Sequence, residues 1–100
     1  MSKDALEKLE NKYDEIVNLM PGDKDFDSHD FILVLSQKYQ RLYIEALYAF
    51  RDKNRPFHRV HMAIAKRLKK RADLVTHIKD RRSNNIFGQK SPVAVWRKAK

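Results

Sequence analysis

The densest chemistry in the sequence is cationic. Arg59, Lys66, Arg67, Lys69, Lys70 and Arg71 crowd one stretch, Lys79, Arg81 and Arg82 continue it, and Lys90, Arg97 and Lys98 follow. Groups of this kind bind phosphates, because neutralising a polyanion releases its condensed counterions. Their concentration along one helix is the electrostatic footprint of a nucleic-acid-binding protein. The expected phosphate contacts are Arg59, Lys66, Arg67, Lys69, Lys70, Arg81, Arg82, Lys90, Arg97 and Lys98. A solvated face on a basic protein is the plainer alternative, since Asp73 and Asp80 dilute the stripe. Arg71 projects near the apolar side and is expected to pair with a carboxylate of the first helix.

Charge is unevenly distributed. Residues 1–30 carry four Lys against nine Asp and Glu, whereas residues 31–100 carry eighteen Lys and Arg against four acids, within a formal net charge of +9. Such asymmetry points to a polyanion partner, an acidic protein partner, or acid-on-base packing inside the molecule.

Other chemistry is thin. His58 and His61 share a helix face at a spacing of three, but a metal site needs further ligands converging from His29 or His77. His61 falls toward the apolar side, as a hydrogen-bonded core imidazole would. With no Cys, no Gly-rich phosphate loop and no Ser in an elbow context, the nucleophile inventory is bare. No enzymatic activity, cofactor or metal is expected. Tyr39, Tyr43, Tyr48 and Phe50 could stack on bases, although aromatics at helical spacing are more often core.

The elements that would position these groups follow from periodicity. Phe31 to Phe50 is the most apolar stretch, contains no Gly or Pro and follows Asp27-Ser28-His29-Asp30, which offers capping side chains. It predicts one long central helix over about 28–52. Phe31, Ile32, Leu35, Tyr39, Leu42, Tyr43, Ala46, Ala49 and Phe50 form its main apolar arc. Leu33, Ile44, Leu47 and Tyr48 fall outside that arc and form a candidate self-association surface, since a second apolar flank is unusual on a monomer. Before it, Leu6, Leu9, Tyr13, Ile16, Val17 and Met20 predict an amphipathic helix over about 3–20, ended by Pro21-Gly22. After it, Pro56 opens a helix predicted over about 56–80, whose buried stripe runs through Phe57, Val60, Ile64, Leu68, Val75 and Ile78.

The expected fold is mostly α: a three-helix bundle-like domain over residues 1–82, with a basic extension over 83–100 docking through Ile86, Phe87 and Trp96. Val93-Ala94-Val95-Trp96 is β-prone, so the extension is read as a small hairpin or an irregular tail. A helix followed by a basic hairpin is the arrangement of a winged helix. That reading stands second, because the central helix is long for a helix-turn-helix pair. The stretch MSKDALEKLENK lacks the apolar core of a signal peptide. No segment approaches the roughly 20 apolar residues of a membrane span, so a soluble, cytoplasmic protein with no membrane role is expected. The function expected is non-enzymatic nucleic-acid binding or regulation. The alternative is a helical interaction module, homodimeric through the second flank, with no nucleic-acid role.

Overall fold

The computed structural model describes residues 2–22 and 24–99. Within them lie α1 (Ser2–Glu10), α2 (Tyr13–Leu19), β1 (Phe26–Asp27), α3 (Ser28–Lys38), α4 (Gln40–Ala49), α5 (Pro56–Lys69), β2 (Val75–Asn84) and β3 (Lys90–Lys98). The strands form an antiparallel sheet of order β1-β3-β2. The molecule is therefore α+β, and the expected all-α, three-helix bundle is overturned by the sheet.

The largest correction falls on the third helix, predicted to run to Asp80 and observed to end at Lys69. Beyond it, the Arg71 guanidinium donates to both oxygens of Asp73 at 3.0 and 2.9 Å and reaches Glu10 and Asp14 at 3.6 and 3.7 Å. These pairs hold the chain against the N-terminal helices as it leaves α5. Val75, Thr76 and Ile78 are β-branched and suit a pleated surface. They enter β2, which pairs with the Val93–Trp96 run along most of its length, Val75 lying opposite Lys98 and Asn84 opposite Lys90. The register slips between His77 and Lys79, leaving Ile78 as a bulge. Because β2 crosses residue 82, the stretch expected to be a separate extension shares one sheet with residues 75–82.

The central helix is also not continuous. Tyr39 adopts φ −123° and ψ 59°, which separates α3 from α4 although neither Gly nor Pro is present. The Tyr39 hydroxyl donates to Glu15, Lys38 lies 3.7 Å from the same carboxylate, and the Lys12 ammonium sits over the Tyr39 ring at 5.4 Å. Tertiary contacts to α2 thus hold the break. The N-terminal helix divides similarly at Asn11-Lys12.

The core lies where the helices meet the inner face of β3. Tyr13, Phe26, Phe31, Leu35, Ile64, Leu68 and Val60 are fully buried there, and Trp96 is 2% exposed. Tyr13 packs edge-on against Phe31 at 4.8 Å and donates its hydroxyl to the Ile64 carbonyl of α5 at 2.9 Å. Burial raises the Tyr13 pKa well above that of a free phenol, so it remains a donor. Each fully buried Leu, Ile or Phe contributes roughly 1.5 to 3 kcal/mol. In chain order two N-terminal helices, the short β1, three further helices and the β2-β3 hairpin follow one another, and β1 adds to the free edge of β3.

Candidate nucleic-acid interface

α5 buries Val60, Ile64 and Leu68, and what faces away follows from helical spacing. Arg55, His58, Arg59, Met62, Lys66, Lys69 and Lys70 recur at three- and four-residue intervals, and every one is exposed. They make one stripe opposite the buried one. Among the described residues, Arg59, Lys66, Lys69 and Lys70 have no acidic group within ion-pair distance. Arg59 donates to the Asn54 carbonyl at 2.7 Å. The helix opens on Pro56 without a side-chain cap, and Arg55 before it holds φ 55°, the left-handed region, which costs a non-glycine residue about 1 kcal/mol.

Other expected phosphate contacts divide into two groups. Arg67 pairs with Glu10 at 2.8 Å, Arg81 with Asp27 at 2.8 Å and Arg97 with Asp25 at 2.9 Å, while Lys98 donates to the Asn18 carbonyl at 3.4 Å. These are structural contacts between the N-terminal segment, through three of its acids and one carbonyl, and the basic half of the chain. Arg71 joins them as anticipated. Arg82 and Lys90 remain exposed on the hairpin without an acidic group in reach among the described residues.

The hairpin is fixed to the helices by three consecutive residues. Asp27 accepts the Asp30 N–H at 2.9 Å in a capping box that starts α3, and it also receives Arg81 of β2. Burial acts to raise the Asp27 pKa, but hydrogen bonds from Arg81, the Asp30 amide and Ser83 hold it below the ordinary carboxylate value. Ser28 accepts the Trp96 indole N–H at 2.9 Å. His29 bridges Ser83 and Ser91, which face each other across the hairpin, at 2.7 and 3.1 Å. The sequence signalled these residues as helix caps, and His29 also as a candidate metal ligand. Their role in holding the hairpin depends on partners more than fifty residues away, which no local pattern marks.

At the hairpin tip Gly88 adopts φ 80° and the Asn85 side chain accepts the N–H groups of Phe87 and Gln89. The turn carries Phe87 to α5, where its ring meets Phe57 edge-on at 4.9 Å and stacks on His61 at 6.1 Å. His61 also pairs with the Tyr43 hydroxyl at 2.6 Å. Burial first, then the neighbouring His29 and His58, push its pKa down to about 4. Burial likewise raises Tyr43 to about 12. Of the three anchors expected in the extension, Trp96 is buried, Ile86 is partly buried against the core, and Phe87 is 53% exposed. Among the described residues no cluster of His, Cys, Asp or Glu is arranged to hold a metal ion.

The four residues of the predicted self-association flank separate. Leu47 packs against the core, Leu33 lies on α3, and Ile44 and Tyr48 are exposed by 61% and 64% one turn apart on α4. No described helix is long and apolar enough to cross a membrane. No family model matches the chain, and neither the curated proteins nor the solved structures contain a significant match.

Proposed function

We propose that the protein is a non-enzymatic winged-helix module that binds duplex DNA, laying α5 in the major groove with the β2-β3 hairpin against the adjoining backbone. The observation that carries the reading is the exposed stripe of α5, cationic along its length and backed by the buried Val60, Ile64 and Leu68. A helix about 10–12 Å across fits a major groove about 12 Å wide. Arg59, Lys66, Lys69 and Lys70 would hold phosphates, joined by Arg82 and Lys90 from the hairpin. Met62, 55% exposed in the middle of the stripe, is suited to apolar contact with a thymine methyl. A cytoplasmic residence belongs to the same reading.

The deep, narrow major groove of A-form RNA does not admit a helix. Fluorescence anisotropy is therefore expected to rank duplex DNA well above duplex RNA of the same sequence at equal salt. Equal affinity for the two would reduce the reading to nonspecific charge attraction.

Self-association is a second, compatible reading, favoured by the exposure of Ile44 and Tyr48 side by side on α4. Sedimentation should then show a dimer that Ile44→Glu converts to monomer; a monomer in both samples would remove it.

A further inference from the structure

Between α5 and the hairpin lies a groove of about 530 Å3, within the size range of small-molecule sites. Ile32, Phe57, His61, Met62, Phe87 and Trp96 give it an apolar, largely aromatic lining. Its formal charge has one sign: Arg55, Lys66 and Lys69 are the charged side chains of the lining, with three imidazoles and no Asp or Glu among the described residues. Aromatic walls favour a flat ring system, and ammonium and guanidinium groups at the same cleft favour an anion. A second copy of the chain, which carries a net charge of +9, would bring surplus positive charge to those cations.

We propose that this groove between α5 and the hairpin binds a small planar aromatic anion, of the class of bicyclic carboxylates, and that such a ligand competes with DNA for Lys66 and Lys69. Only the competition rests on the DNA reading; the site itself does not. Occupancy would place a negative group among the same ammonium groups that hold phosphate, so ligand and duplex would exclude each other.

The test uses the full chain without DNA and 2-naphthoate as the probe. The protein has a single tryptophan, and its indole N–H, bonded to Ser28 beside the groove, gives one NMR resonance to follow. Titration should shift that resonance saturably, and 2-naphthamide, which lacks the charge, should bind about tenfold more weakly. Replacing Lys66 and Lys69 together by Gln should abolish the preference for the carboxylate while leaving the amide's affinity in place. Ala65→Phe and, separately, Met62→Phe should fill the groove and weaken both probes. No saturable shift, equal affinity for carboxylate and amide, or a shift on concentrating the protein alone that Ile44→Glu does not remove would overturn the site. In a second arm, saturating 2-naphthoate should weaken duplex binding by the wild type; unchanged duplex affinity would overturn the competition. A chain that binds 2-naphthoate but no duplex would sink the DNA reading and leave the site standing.

Discussion

His61 shows how a residue's environment reverses the expectation from its type. Its ring sits between Tyr43 and Phe87, hydrogen-bonded to the Tyr43 hydroxyl, and burial with two neighbouring imidazoles pushes its pKa to about 4 from the ordinary 6.5. In the unfolded chain the ring takes a proton as pH falls through about 6.5, whereas in the folded protein it does so only near 4. The unfolded state binds more protons in that window, so stability is full above about pH 6.5 and declines toward pH 4. Partial solvent access reduces the magnitude to about 1 to 3 kcal/mol. Urea unfolding across pH 4–8 should show this decline in the wild type and a flatter profile in His61→Gln; parallel profiles would contradict it. The sequence placed His61 correctly as a hydrogen-bonded imidazole near the apolar side. Its stacking on Phe87 was illegible, because that contact exists only once the hairpin has formed.

At the scale of elements, the hairpin is held by Asp27, Ser28 and His29, and Asp27 carries two tasks at once. Its carboxylate caps α3 and pairs with Arg81 while only 1% exposed. Asp27→Ala removes the cap and the partner of a charged group together, with an expected cost of about 2 to 4 kcal/mol. Asp27→Asn keeps a capping oxygen and should cost about half as much. Denaturant midpoints of the two variants check the order, and an Ala variant no worse than the Asn variant would contradict it. The elements themselves were unevenly legible. Pro56 at the start of α5 and the apolar content of residues 31–50 are local signals of helix, but they gave one continuous helix where the structure has α3 and α4, and a third helix running to Asp80, eleven residues past its end at Lys69. Val75 and Ile78, three apart, fit helical spacing, and regular strand alternation would place them on opposite faces; in β2 a bulge at Ile78 interrupts that alternation. Their strand identity comes from pairing with β3, a partner across the turn that local periodicity does not encode. The two-residue β1 is too short to carry any pattern, and the break at Tyr39 is held by Glu15 on another helix.

For the whole molecule, the uneven charge of the sequence resolves into two populations. Acids of the N-terminal half neutralise Arg67, Arg71, Arg81 and Arg97 from the basic half, and the cations of the α5 stripe face outward. Internal acid-on-base packing therefore accounts for part of the asymmetry, and the outward-facing cations are the ones on which the proposed DNA reading rests. The sequence marked the stripe through Arg59, Lys66, Lys69 and Lys70, but could not separate it from Arg67, which helical spacing turns toward Glu10. Arg55 and Met62 were missed as members, although their spacing from Arg59 and Lys66 was a usable signal once the buried side of α5 was assigned. On the hairpin, Arg82 and Lys90 are further exposed cations.

The most direct measurement of this account is the salt dependence of duplex DNA binding for the wild type and for a variant with Lys66, Lys69 and Lys70 replaced by Gln. Each phosphate contact contributes about 0.9 to the slope of log affinity against log salt. The variant should still fold, bind more weakly and show a slope shallower by about 2 to 3. A wild type that does not bind duplex DNA at low salt, or a folded variant whose slope is unchanged, would contradict the assignment of α5 as the DNA-contacting helix.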